Sequence, residues 1–117
     1  MTEKKKEKRT SQRVPVKLKV DYRATGNFLF ENATNISEQG IFVETDAPLD
    51  TGTMIDLQFQ LPDSQKKIEV LGEVTWTNPR RPNPEENHNP GMGIRFVNLS
   101  ELDKETILSL IKRIAVL

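Results

Sequence analysis

Two short stretches hold the residues best suited to chemistry. In KRTSQR, residues 8–13, Arg9 and Arg13 stand four residues apart, with Lys8 just before the first and alternating apolar residues just after the second. Two guanidinium groups so placed are either a solvated charge run or two planar donor forks directed at an anion or a base edge. In NISEQG, residues 35–40, Asn35 and Ser37 are two apart, and on an extended chain both side chains then point the same way. Gly40 offers a positive φ before Ile41 resumes a strand. One reading is a turn made of good turn formers. The other is an amide and a hydroxyl projecting from a strand end beside exposed backbone N–H groups, able to read a base edge or hold a phosphate.

Catalytic chemistry finds little material. His88 is the single histidine and lies in the proline-rich run NPRRPNPEENHNP, residues 78–90. A lone loop histidine reads as a solvated side chain. Glu85 and Glu86 share that loop and read as solvated too. GxSxG, HExxH, P-loop and GxGxxG patterns are missing. The chain has no cysteine, which removes disulfides, thiolate metal sites and cysteine nucleophiles. Three Asn-x-Ser/Thr matches, at Asn32, Asn35 and Asn98, are taken as chance. The expectation is a binding protein, not an enzyme, with no metal and no resident cofactor.

Charge narrows the ligand. The chain has 117 residues with 17 basic and 17 acidic side chains. Residues 1–13 carry six basic residues (Lys4, Lys5, Lys6, Lys8, Arg9 and Arg13) against Glu3 and Glu7, so this arm is +4 and the remainder −4. Residues 1–8 lack apolar side chains apart from Met1 and read as a disordered basic arm. A basic arm on a mildly acidic body suits a small anion held locally, and argues against a broad DNA or RNA surface. Aromatic residues make up only 6%, too few for a single-strand stacking groove. No apolar segment follows MTEKKKEKR, and apolar runs are short, so neither a secretory leader nor a membrane span is expected. The expected location is cytoplasmic.

The elements that must position these residues follow from periodicity. Val14, Val16, Leu18, Val20 and Tyr22 alternate with polar residues, the mark of a half-buried strand. Thr25-Gly26-Asn27 turns the chain, a less regular strand runs from Phe28 to Ile36, and Ile41 to Val43 resumes after the motif. Ile55, Leu57, Phe59 and Leu61 form a further strand. Ile68, Val70, Val74 and Trp76 share the next face, which assigns Trp76 to the core, and Gly72 among them signals a close approach. Met92, Ile94 and Phe96 make the last strand. Ser100 with Asp103 can cap a helix whose stripe is Ile107, Leu110, Ile111 and Ile114. Six short strands and one helix, with frequent turns, indicate a mainly β domain: an antiparallel barrel or a compact sandwich.

Arg-x-x-x-Arg before a first strand, followed by (Asp/Asn)-x-Ser-x-x-Gly, resembles the PilZ domain family. Arg9, Arg13, Asn35, Ser37 and Gly40 fill the five defining positions. Val14-Pro15-Val16, Gly40-Ile41-Phe42-Val43-Glu44, Gly72-Glu73-Val74-Thr75-Trp76 and Gly91-Met92-Gly93-Ile94-Arg95-Phe96 extend the likeness over residues 9–115. The resemblance implies a six-stranded antiparallel β-barrel with a C-terminal α-helix over residues 9–117. It also implies a receptor for the bacterial second messenger cyclic di-GMP, acting through an effector protein in motility or biofilm control. By the same resemblance Arg9, Arg13, Asn35, Ser37 and Gly40 contact the ligand. Lys8 stands where the family influences whether one ligand or a stacked pair is held. A module of the same fold that no longer binds nucleotide, and binds a partner protein instead, is the alternative. Oligomeric state stays open between monomer and homodimer, with Leu108, Val116 and Leu117 beside the helical stripe.

Overall fold

The structure, a computed structural model, describes residues 13–24, 26–62, 66–79, 82–83 and 89–116. Lys8, Arg9, the disorder expected of residues 1–8, and Glu85, Glu86 and His88 lie outside them. Six strands run in the order β1 (Val14–Ala24), β2 (Asn27–Ile36), β3 (Gly40–Glu44), β4 (Met54–Gln60), β5 (Lys67–Asn78) and β6 (Gly91–Val97), and one helix, α1 (Glu101–Val116), follows. The strands close into a barrel in the order β1-β2-β3-β6-β5-β4, with β4 returning to β1 and every neighbour antiparallel. The barrel, not the sandwich, is the outcome, and closure gives every strand a neighbour on both sides.

Alternation fills the interior. Leu18, Val20 and Tyr22 of β1 meet Ile55, Leu57 and Phe59 of β4 and Ile94 and Phe96 of β6 in one buried cluster. Phe59 and Phe96 stack with ring centroids 5.9 Å apart. Gly72 faces this interior: a Cβ there would lie 2.6 Å from the Ile94 Cγ2 and 2.9 Å from the Leu57 Cδ1. The close approach at this glycine is therefore with inward side chains of the two neighbouring strands, β4 and β6, and not with another backbone.

The Ser100 hydroxyl accepts from the Asp103 N–H at 3.1 Å, giving α1 the expected N-cap. Ile107, Leu110 and Ile111 are buried in the barrel's own core cluster, and the helix lies beside β1. Lys66, before β5, pairs with the Asp103 carboxylate at 3.0 Å and ties the helix start to the β4–β5 end of the barrel.

One core side chain carries a titratable group. Tyr22 is 1% exposed. Burial, aided by the nearby Glu31 charge and opposed by a hydrogen bond with Thr45, pushes its phenol up to about 12 from 10.0. Between these values the unfolded chain gives up the phenol proton while the folded chain keeps it. This contribution to stability is complete below the unfolded value and is lost as pH rises through the folded one. Urea unfolding should therefore show a steeper alkaline loss of stability in the native chain than in Tyr22→Phe. Equal slopes for the two proteins would remove this assignment.

Candidate functional site

Pairing brings the two motifs to one end of the barrel. Val14 opens β1 opposite Ile36 at the end of β2. Ile36 pairs with Ile41, and Gly40 with Arg95 near the end of β6. Arg13, immediately before β1, donates from Nη1 to the Asn35 Oδ1 at 2.7 Å. The second arginine of the first motif and the first polar residue of the second are thus in direct contact, although 22 residues apart in the chain. Arg13 is exposed and Asn35 half-buried, so the guanidinium is oriented while keeping donors for a further partner.

Ser37 plays a different part from the one its spacing suggests. It is 2% exposed, and its Oγ accepts from the backbone N–H groups of Gln39 at 3.2 Å and Gly40 at 3.3 Å. The Ser37 N–H in turn donates to the Gly40 carbonyl at 2.9 Å. The strand ends at Ile36, so the side-by-side projection expected of Asn35 and Ser37 stops one residue short of the hydroxyl. The N–H groups expected to be free are taken by that hydroxyl. Ser37 builds the turn, in the manner of a hydroxyl-bonded turn, and Asn35 alone projects from the wall.

Gly40 also differs from expectation. The described glycines with positive φ are Gly26 and Gly52, not Gly40. Gly40 already pairs in β3, and its need is for space: a Cβ would run into the Ile94 carbonyl oxygen and lie 3.3 Å from the Arg95 Cα. The turn is locked to β6 again by the Phe96 N–H, which donates to the Gln39 carbonyl at 2.9 Å.

The largest correction concerns Trp76. Strict alternation from Val74 would put it inside. The β5–β6 register shifts between Val74, opposite Ile94, and Trp76, opposite Gly93. This bulge inserts one residue, so the inward phase ends at Val74 and Trp76 turns outward. It is 45% exposed. Its ring crosses Gly93, where a Cβ would collide with the indole, and stacks on Phe42 with centroids 5.3 Å apart and planes at 21°. A Gly93 side chain is excluded by this ring, which explains a glycine in the middle of β6. Sequence reasoning could have suspected the site from the pairing of a strand glycine with an aromatic, but not the phase change itself.

A row of residues therefore crosses the outer wall at the motif end. Pro15 pairs with Asn35, Asn35 with Phe42, Phe42 with Gly93, and Gly93 with Trp76. At one end stand Arg13 and the Asn35 amide. At the other lies a flat indole with an open face. Between Arg13 and the β3 end, a shallow depression is bordered by Thr34, Asn35, Glu44 and Asn89. Glu44 opposes an anion there, so positive charge must come from arginine. Among the described residues no cluster of acidic or histidine side chains could hold a metal ion, and no helix is long and apolar enough to cross a membrane.

The comparisons agree with this architecture. The PilZ domain profile matches residues 7–113, and the chain belongs to the PilZ domain family. Among curated proteins none matches. Among solved structures, the Bacillus subtilis inhibitor of motility (MotI/DgrA) superimposes with a TM-score of 0.74 at 20% identity, covering 90% of this chain and 50% of that one. The chain thus spans about half the length of that protein. The PilZ domain of YcgR from Escherichia coli, solved with c-di-GMP, gives a TM-score of 0.69 at 14% identity over 90% of this chain and 89% of that one. At these identities the likeness is one of fold, and the fold is the six-stranded barrel with a C-terminal helix that the family resemblance implies.

Proposed function

We propose that the chain is a cyclic di-GMP receptor whose N-terminal arm closes over the ligand on this outer wall. The observation that carries the reading is the Arg13–Asn35 hydrogen bond at 2.7 Å, which seats the start of the arm on the strand of the second motif. The ligand is a dianion with two guanines. Arginine meets guanine O6 and N7 or a phosphate with paired donors, and its plane stacks on a base. Arg9, four residues before Arg13 in the sequence, supplies the second fork, and Lys8 adds charge beside it. Asn35 offers a neutral amide to a guanine edge. Ser37 and Gly40 act by shaping the turn that holds Asn35 and the β3–β6 contact. The Trp76 ring, reached from Asn35 across Phe42, offers a stacking face for the second base.

Support comes from the family and from the two solved folds, one carrying c-di-GMP and the other described as an inhibitor of motility. PilZ domains are receptor or adaptor modules, and the output of this one is assigned to motility, with biofilm control beside it, through a protein effector. Ligand binding orders the N-terminal arm, residues 1–13, against the barrel and presents a new surface, and part of the binding free energy offsets the entropy of ordering the arm.

Isothermal titration with cyclic di-GMP tests the reading, with GMP as the control. Saturable binding of the cyclic dinucleotide, absent for GMP at the same concentration, is the expected result. No heat and no saturation would leave the nucleotide-free interaction module as the better description. Trp76→Ala gives a sharper check of the wall. Because the ring is half exposed, the variant should lose only about 1 kcal/mol of stability, instead of the larger loss expected of a core tryptophan. It should weaken ligand binding about tenfold, in line with the value of one base–aromatic stack. Unchanged affinity would take Trp76 out of the site.

A further inference from the structure

The far end of the β1–β2 hairpin carries a feature that the proposed ligand wall does not use. Phe28 and Phe30, successive outward positions on β2, are 63% and 72% exposed. Scattered exposed apolar residues are ordinary, but here two phenylalanines share one strand face beside charged neighbours in fixed register. Phe28 pairs with Arg23, which pairs with Asp56. In the next row Phe30 pairs with Asp21, which pairs with Gln58. From β2 to β4 the two rows therefore read Phe–Arg–Asp and Phe–Asp–Gln.

We propose that this face is the interface of a twofold-symmetric homodimer. A closed pair needs a self-complementary patch, in which each contact occurs twice. Let the twofold axis lie in the interface, across the strands and midway between the two rows. Each row then meets the other row of the second copy. Phe28 faces the second copy's Phe30, Arg23 faces its Asp21, and Asp56 faces its Gln58. Shifting the axis onto either row sets Asp21 against Asp21 or Arg23 against Arg23. Moving it to the next gap, between the Asp21 and Lys19 rows, keeps opposite charges together, Asp21 against Lys19, but sets Phe30 against Asn32 and leaves the aromatics unmatched. Of these registers, the one midway between the two rows alone satisfies both charge and apolar matching.

The free protein already holds these groups in place. Arg23 lies over the Phe28 ring, 5.5 Å from its centroid, and approaches the Asp56 carboxylate at 3.5 Å. Both side chains of that pair remain more than half exposed, at 54% and 65%, so the guanidinium has donors left for an incoming carboxylate. The interface lies at the opposite end of β1 and β2 from Arg13 and Asn35. Both ligand walls stay open in the dimer, and the inference stands whether or not the nucleotide reading does.

Sedimentation velocity of the full chain, from about 5 to about 500 µM, tests it. The mass should rise with concentration from the 13.4 kDa of one chain toward twice that value. The Phe28→Asp/Phe30→Asp double variant should remain at the monomer mass throughout, and the milder Phe30→Ser should weaken association at least tenfold. Arg23→Asp should weaken it similarly, and adding Asp21→Arg should recover association by restoring the opposite pairing. All of these positions are on the surface, so thermal unfolding of the variants should match the native chain at the lowest concentration, where both are monomers. A monomer at every concentration overturns the proposal, including one whose aromatic face instead takes a basic partner protein. So does a dimer that ignores the Phe28 and Phe30 substitutions and is lost in Leu108→Asp, which would place the interface on α1.

Discussion

Arg13→Ala should abolish measurable cyclic di-GMP binding while leaving the barrel intact. Arg13 is the arm residue whose position the wall already fixes, through the Asn35 Oδ1 at 2.7 Å. Removing it takes away a charge-assisted contact to the ligand, on the order of 1.5–3 kcal/mol or about ten- to a hundredfold in affinity. It also releases the arm from the strand that positions Asn35, so the loss exceeds that of one contact. Arg9→Ala should weaken binding severely. Lys4→Ala, Lys5→Ala and Lys6→Ala should cost far less, because exposed lysines offer screened attraction only. Asn35→Ala should fall between, having lost a neutral partner. The melting temperature of Arg13→Ala should match that of the native chain, since its exposed side chain belongs to no apolar face. Titration across this series decides the matter. Losses as large for the lysine variants as for the arginine ones would mean diffuse electrostatics, and the two-motif clamp would be wrong.

Gly40→Ala should destabilise the fold itself. The added methyl would meet the Ile94 carbonyl oxygen, a backbone atom held in the β3–β6 ladder. A flexible side chain could swing aside, whereas here the strands must separate. The expected cost is about 1–3 kcal/mol, the range for overpacking a tight site, with Gly40→Val worse. The same shift would loosen the Phe96–Gln39 bond and the Ser37 turn, so ligand affinity should fall with stability. Urea unfolding reads the first effect and titration the second. A Gly40→Ala protein as stable as the native chain, but unable to bind, would mean that Gly40 clears space for ligand and not for β6. Stability and binding both unchanged would contradict the close approach altogether.

The residues alone specified the strand and helix order, most of the core and the helix cap. Each of these rests on local rules: period two for Val14–Tyr22 and Ile55–Leu61, helical spacing for Ile107–Ile111, and a hydroxyl before α1. Local rules assume an unbroken ladder, and three features depend on where the ladder breaks or how closely a partner strand comes. The bulge after Val74 is a property of β5 against β6, so the outward turn of Trp76 could not follow from alternation. Gly40 looked like a turn residue, but the atom that demands glycine is the Ile94 carbonyl oxygen, 54 positions along the chain. Ser37 looked like a projecting ligand until the strand ended one residue earlier and its hydroxyl took two backbone donors. The exposed pair Phe28 and Phe30 follows the same logic. Their alternation is visible in the chain, but closure of the barrel alone decides which face of β2 is inside, because Leu29 and Glu31 must share the other.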